Sequence, residues 1–387
     1  MDFKKYVKKL HKWEKITERF SNKIDDYERV RRHYLGRKLF RTQLYYVLNV
    51  FCMLQYPVLL MMNKINTNHN KNKNGINNLE TIFICPNDEY KFVLEDLPES
   101  VLSEYSNIAS ILANDYKIPI KGFYLDDYGC KLCKELIKRY PFSFFMNCSV
   151  MIHIYRIQHL ILEFKPSVII TTQTDEDFTT SILTNYCEHL GVKYIGIQHG
   201  DYCYDPNLAY FRFSEYYVWD EDSIKNLELV NTRLDFARTF KCKRFDGNLI
   251  KKITPEYHLT YYLAGDETRN ELIRIRNVLM KFIVKGYSVN LRNHPRARNT
   301  RAVRAVFNDG MIHFENAREV PIGDSITNTD YVVATRSTVL SEALANSLDA
   351  VIDDVAYDME DMIYLRMKNL NHATLRLSDI MKAELGI

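Results

Sequence analysis

The distribution of apolar and polar positions changes character twice along the chain. Residues 3–40 mix basic and apolar positions and predict one or two basic helical segments. The run LYYVLNVFCMLQYPVLLMM, 44–62, follows with no charged residue and is long enough for a membrane-spanning helix. Asn49, Gln55 and Pro57 interrupt it, which favours a core helix of the first domain or a helix lying on a membrane surface beside the basic arm. NTNHNKNKNGINN, 66–78, is polar and of low complexity and predicts an exposed loop or linker.

From Thr81 onward, short apolar runs alternate with helical stretches. TIFIC (81–85) and SVIITT (167–172) predict strands, FTTSILTNYCEHLG (178–191) a helix and KYIGIQ (193–198) the next strand. That is a strand-helix-strand unit with short connections, so its two strands should run parallel. EYYVWD (215–220) is the next strand, and FDGNLIKKITPEYH (245–258) reads as a crossover. A second series follows: strand LTYYLAG (259–265), helix 266–286, strand YSVNLR (287–292), strand MIHF (311–314), strand DYVVAT (330–335), helix within 336–348 and strand DAVIDD (349–354). In the first of those helices Leu272, Ile275, Val278, Leu279 and Phe282 recur at helical spacing, and Gly286 is the expected stop. The series predicts an α/β chain of two doubly wound, Rossmann-like domains facing a cleft. The expected division is a basic helical extension and linker at 1–78, one domain at 79–250 and a second at 251–387.

Length and composition agree with two domains: 387 residues, 46% apolar, with 27 Tyr and 20 Phe. The net charge of +3 is uneven. Residues 1–41 hold fourteen Lys and Arg against six Asp and Glu, so this arm carries +8 and the rest −5. Such an arm attracts nucleic acid or anionic lipid, but the α/β part shows no nucleic-acid recognition motif. Eight scattered cysteines and no apolar leader point to free thiols in a reducing cytoplasm. The C-x-x-C at Cys130 and Cys133 has no second ligand pair at zinc-like spacing, so no metal site is expected.

Open parallel sheets bind ligands beyond the carboxyl ends of their strands. Four strand exits carry polar residues that packing does not explain. TRST places Arg336 beside Ser337 and Thr338 ahead of an apolar helix, a position for phosphate binding or for simple capping. NHPR sets His294 between Arg292 and Arg296, with Pro295 fixing the turn, so that the imidazole could donate to a phosphate. In IGIQHGDY, Gly200 permits close backbone approach, and His199 and Asp201 are both candidate general bases. TDED offers Asp175 and Glu176 as further acids, with Asp177 as a candidate N-cap.

At these motifs the chain resembles GT-B glycosyltransferases of bacterial surface-polysaccharide synthesis. The resemblance is to sialyltransferases and capsule polymerases with a His-Pro motif, here His294-Pro295, followed by a Ser/Thr pair, here Ser337-Thr338. It spans about residues 160–355. The family's acidic pair plus glycine is replaced here by Gln198-His199-Gly200, which is similar instead to teichoic-acid glycerophosphate transferases, where the histidine is the base. The resemblance implies metal-independent single displacement from a nucleotide-activated sugar, such as CMP-sialic acid, to a glycan hydroxyl in capsule, O-antigen or lipooligosaccharide synthesis. It assigns catalysis to His199, His294 and Asp201. Phosphate binding falls to Arg292, Pro295, Arg296, Arg336, Ser337 and Thr338, and the acceptor side to Asp175, Glu176 and Gly200. The implied partners are a nucleotide-sugar donor, a glycan or lipid-linked glycan acceptor, and the inner face of the plasma membrane through residues 1–62, with no cofactor and no nucleic acid. The open alternatives are a CDP-glycerol-type glycerophosphotransferase, a nucleotide-sugar epimerase of the same fold and a non-enzymatic membrane-associated scaffold.

Overall fold

The computed structural model describes residues 8, 9, 12, 13, 24–40, 42–66, 79–85, 92–97, 99–105, 108–112, 122–172, 177–198, 200, 206–229, 237–240, 242, 247–295, 297, 299–335, 337–357 and 375–386. The chain divides into two compact units. The first comprises Lys12–His199 with Asp205–Lys241; the second comprises Cys242–Ile387 and takes in Gly200.

In the first unit, β1 (Thr81–Cys85), β2 (Ile108–Leu112), β3 (Val168–Thr171), β4 (Lys193–Ile197), β5 (Glu215–Val218) and β6 (Ala237–Thr239) form one sheet in the order β2-β1-β3-β4-β5-β6. Every pairing is parallel. β3 and β5 are buried along their whole length, so they read as continuous apolar runs rather than alternating ones. Helices α1 (Asp26–Phe40), α2 (Thr42–Asn66), α3 (Asp127–Arg139), α4 (Phe144–Phe164), α5 (Thr180–His189) and α6 (Glu221–Leu229) complete it. The expected unit β3-α5-β4 is present.

Helices α1 and α2 pack within this unit. Asp26 pairs with Arg212 and accepts from Asn185 Nδ2 at 2.9 Å. Tyr34, Tyr45, Phe145 and Phe178 form an aromatic cluster with centroids 5.3–6.2 Å apart. Within α2, Tyr45, Cys52 and Leu59 are buried, one residue every two turns. The other side is open: Tyr46, Val47, Leu54 and Met61 are each more than 60% exposed. The expectation of a core helix at 44–62 is therefore corrected to a helix held by one narrow stripe. Residues Gln43–Lys64 are long and apolar enough to cross a membrane.

The second unit has β7 (Tyr257–Tyr262), β8 (Val289–Arg292), β9 (His313–Glu315), β10 (Thr329–Ala334), β11 (Ala350–Ile352) and β12 (Leu375–Arg376) in the order β12-β11-β10-β7-β8-β9, again all parallel. Its helices are α7 (Arg269–Val284), α8 (Thr300–Val306), α9 (Ile322–Thr327), α10 (Val339–Ala345) and α11 (Leu377–Ile380). α7 begins with a reciprocal cap between Thr268 and Glu271. It buries Leu272, Ile275, Val278, Leu279 and Phe282, the periodic set, and Gly286 follows it at φ +91°. The two six-stranded parallel sheets with their surrounding helices are the two Rossmann-like domains expected of a GT-B-type chain.

Each sheet reverses its direction of growth once. The first does so between β1 and β3, the second between β7 and β10. In doubly wound folds the crevice outside the carboxyl edge at such a reversal is where ligands bind.

Candidate functional site

At the reversal point of the second sheet, the neighbouring strands β10, β7 and β8 end in three loops, two of which, TRST and NHPR, the sequence singled out. β7 runs into Gly265, at φ +89°. A Cβ there would lie 2.9 Å from His294 Cβ and 3.1 Å from Ala297 Cα, so the Gly265 turn packs directly on the turn after β8. The amides of Ala264 and Gly265 donate to the Glu267 carboxylate at 2.5 and 3.0 Å, and Asn299 Nδ2 donates to it at 3.0 Å. In the second turn, His294 N donates to Asn293 Oδ1 at 3.0 Å and Ala297 N donates to His294 O at 2.9 Å. His294 is thus a half-buried side chain on a pinned backbone, and Pro295 beside it is exposed.

After β10, Ser337 Oγ accepts from Val339 N at 3.3 Å, a local turn one residue ahead of the N-cap. Thr338 occupies the N-cap position but makes no side-chain cap. A Cβ on Gly200 would lie 3.8 Å from Thr338 Oγ1. His294, Ser337, Thr338 and Gly200 therefore all belong to the second unit. His199, Asp201, Arg296, Arg336, Asp175 and Glu176 lie outside the described residues.

Arg292 is turned to a different task. It is buried and ion-paired with Glu315, its direct neighbour across β8 and β9. Its Nη2 donates to the carbonyls of Ala317 and Val320 at 3.3 and 2.9 Å. Glu315 also accepts from Ser325 Oγ at 2.7 Å, and Ser325 bonds the Tyr262 hydroxyl at 2.8 Å. This network commits the Arg292 guanidinium to the fold.

At the reversal point of the first sheet lies a cavity of about 460 Å³. Ile84, Ile111 and Thr171, at or next to the last residues of β1, β2 and β3, line it together with Tyr45 of α2 and His153 and Arg156 of α4. Its polar end is built around Asp177. The Oδ1 atom accepts from Thr179 N at 2.8 Å and from the Thr179 hydroxyl at 2.6 Å. The Oδ2 atom lies 3.4 Å from His153 Nδ1, which is also 2.9 Å from Thr179 Oγ1. Burial works to raise the Asp177 pKa, but the His153 charge and the bonds from His153 and Thr179 outweigh it and hold the carboxyl well below the usual range. The N-cap of the helix starting at Thr180 is Thr179 rather than the expected Asp177, which lies two residues earlier and holds the Thr179 amide and hydroxyl.

His153 and Arg156 carry no motif in the sequence. The helix also carries Asn147, Ser149, Gln158 and His159, so the i, i+3 spacing of the pair gives no distinguishing signal.

Among the described residues, no group of three or more His, Cys, Asp or Glu could hold a metal ion. Cys130 and Cys133 lie one turn apart on α3; Cys133 is buried, and burial pushes its thiol pKa far up.

No protein-family model and no curated protein matches this chain. Among solved structures it is similar to the UDP-N-acetylglucosamine 2-epimerase from Rickettsia bellii, at 12% identity and a TM-score of 0.45, over 70% of this chain and 78% of that one. It is similar to the UDP-GlcNAc 2-epimerase of Methanocaldococcus jannaschii in complex with UDP-GlcNAc and UDP, at 12% identity and a TM-score of 0.45, over 70% and 83%. It is also similar to the H444N variant of the wall teichoic acid polymerase TagF soaked with CDPG, at 11% identity and a TM-score of 0.47, over 88% and 87%.

Proposed function

We propose that this chain is a glycosyltransferase that uses a nucleotide-activated sugar. The observation that carries the reading is the assembly at the second sheet's reversal point. There the His294 turn sits against the Gly265 turn, and Ser337 and Thr338 follow the adjacent strand β10. A nucleotide phosphate placed there would take a hydrogen bond from His294 and from the Thr338 hydroxyl, and the imidazole would stabilise the phosphate as it leaves. Arg336 and Arg296 are proposed to add charge; Arg292 is not part of the site. The donor proposed is cytidine-linked, with sialic acid as the sugar, because His294-Pro295 and Ser337-Thr338 are the motifs through which the chain resembles such transferases. His199 and Asp201 are proposed to lie on the acceptor side.

A thermal-shift panel tests this. CMP or CDP is expected to stabilise the protein while UMP, UDP and GDP do not, because a ligand that binds only the native state stabilises by mass action. His294→Ala is expected to remove at least ten-fold in nucleotide affinity. An unchanged shift in that variant takes His294 out of the site. Formation of an epimer from a nucleotide sugar without any acceptor would replace the transferase reading by an epimerase.

The open face of α2 is proposed to rest on an anionic membrane surface, where a lipid-linked acceptor would be met. Its apolar side chains lie near basic residues at both ends, Arg37 and Lys38 in the last turn of α1 and Lys64 at the end of α2. The protein is expected to co-sediment with phosphatidylglycerol vesicles at low salt. Leu54→Glu with Met61→Glu is expected to abolish this without changing the melting temperature, since both side chains are exposed. Binding that persists in the double variant would assign it elsewhere.

A further inference from the structure

The turn between β7 and the 16-residue helix α7 stands at the reversal point of the second sheet. In doubly wound folds such a turn, with the helix end behind it, offers backbone N–H groups to phosphate. Here those groups are already occupied from within. The amides of Ala264 and Gly265 both end on the Glu267 carboxylate, at 2.5 and 3.0 Å. Next to them, Thr268 N and the Thr268 hydroxyl donate to Glu271 Oε2 at 2.6 and 2.7 Å, and Glu271 N donates to Thr268 Oγ1 at 3.4 Å. Two internal carboxylates thus take the places that an anion would take at this helix end. Both are buried, Glu267 at 3% exposure and Glu271 at 1%.

Glu267 has only neutral company. Among the described residues its carboxylate is bonded by the two amides and by Asn299 Nδ2, at 3.0 Å. All three atoms are donors that cannot accept, so the carboxylate meets them as an acceptor only, and no ion pair offsets its charge. The same asparagine ties it to the proposed nucleotide site. Asn299 Oδ1 accepts from Asn293 Nδ2 at 3.4 Å, and Asn293 Oδ1 accepts from His294 N at 3.0 Å. Three hydrogen bonds in series therefore join Glu267 to the backbone of His294. Gly265, whose amide Glu267 holds, packs directly on that histidine.

We propose that Glu267 is a specificity residue that restricts the nucleotide site to a single phosphate. The proposal rests on the transferase reading, which puts the donor phosphate at His294. On the β7 side of that phosphate stand a buried carboxylate and amides that are no longer free. The second phosphate of a nucleoside diphosphate shares an oxygen with the first, so it stays in the same neighbourhood. It brings further negative charge next to Glu267, where screening is weak, and finds no loop N–H to replace the water it gives up. Diphosphate-linked donors are thus disfavoured by charge rather than by size, and the leaving group accepted is a nucleoside monophosphate.

Paired nucleotides test this on the whole protein by calorimetric titration. CDP is expected to bind about ten-fold more weakly than CMP, and UDP more weakly than UMP by about the same factor. Cytidine 5′-methylphosphate adds bulk to the phosphate without adding charge and should bind within about three-fold of CMP. Glu267→Gln keeps the shape of the side chain and one acceptor oxygen but removes the charge. It should bring CMP and CDP within about three-fold of each other, with the gain falling on CDP. A purely structural role would instead lower the melting temperature and weaken both nucleotides together.

Equal binding of CMP and CDP to the wild-type protein overturns the proposal, as does a folded Glu267→Gln variant that keeps the wild-type ratio. If that variant does not fold, the methyl ester decides: rejection as strong as that of CDP makes the exclusion steric and removes the carboxylate as its cause. The transferase reading fails separately. A protein that separates monophosphates from diphosphates as expected but transfers no sugar keeps the role of Glu267 and loses the transferase reading. One that binds UDP tightly and CMP not at all loses both.

Discussion

Replacing Arg292 by alanine is expected to destabilise the second unit by about 3–5 kcal/mol, the range for removing one partner of a buried ion pair. The argument is about what remains. Glu315 is almost fully buried and keeps only neutral partners, Ser325 Oγ at 2.7 Å and Asn290 Nδ2 at 3.3 Å. A carboxylate in that setting loses the one charge that compensated its desolvation. The carbonyls of Ala317 and Val320 lose their guanidinium donor as well. Thermal unfolding should show a loss on the order of 10 °C for a domain of this size. The double variant Arg292→Met with Glu315→Leu should recover most of it, because apolar pairs of similar volume often replace buried ion pairs at little cost. If Arg292→Ala stays within 1 kcal/mol of wild type and loses nucleotide stabilisation instead, the guanidinium belongs to the ligand site and the strut assignment is wrong.

Arg292 also shows where a linear pattern stops being informative. Flanking His294 with two arginines looks like an anion site along the chain. The residue that neutralises Arg292 is 23 positions on and becomes its neighbour only through the parallel pairing of β8 with β9. The same holds for His153 and Asp177. One sits on a helix with no polar periodicity, the other in an acidic loop, and only the packing of α4 on the carboxyl edge of the first sheet joins them. By contrast, β3-α5-β4 and, in the second unit, β7, α7, β8, β9, β10, α10 and β11 were legible, because each strand is an apolar run bounded by turn residues and the long helix α7 shows one apolar stripe, whereas the short helices α8 and α9 were not. β2, with the sequence IASIL, carries no such boundary signal, and α4 is apolar nearly all round, so periodicity cannot mark its face. The open side of α2 was hidden for the opposite reason. A helix that packs through one stripe, here Tyr45, Asn49, Cys52, Tyr56, Leu59 and Asn63, looks in sequence like one that packs all round when its other side is equally apolar.

Substituting alanine for Gly265 is expected to disable the proposed nucleotide site while leaving most of the second unit folded. Two effects add at this position. The backbone sits at φ +89°, where an L side chain costs roughly 1–2 kcal/mol. The new methyl would also meet His294 Cβ at 2.9 Å and Ala297 Cα at 3.1 Å. Neither neighbour is the far end of a flexible side chain, so the turn that presents His294 has to move. A comparison with Gly286 separates the two effects. Gly286 has nearly the same backbone, φ +91°, but a Cβ there meets nothing within 4 Å. Gly286→Ala should therefore cost about 1 kcal/mol of stability and leave nucleotide stabilisation intact. Gly265→Ala should cost more, about 2–4 kcal/mol from backbone strain plus contact, and should also erase the shift given by the selected nucleotide. A displacement of about 1 Å suffices for such a loss, since positioning errors of that size cost about 100-fold in well-ordered sites. Equal behaviour of the two variants would mean that the turn after β8 does not present His294 to a ligand, and the second-sheet site would have to be rebuilt around Ser337 and Thr338 alone.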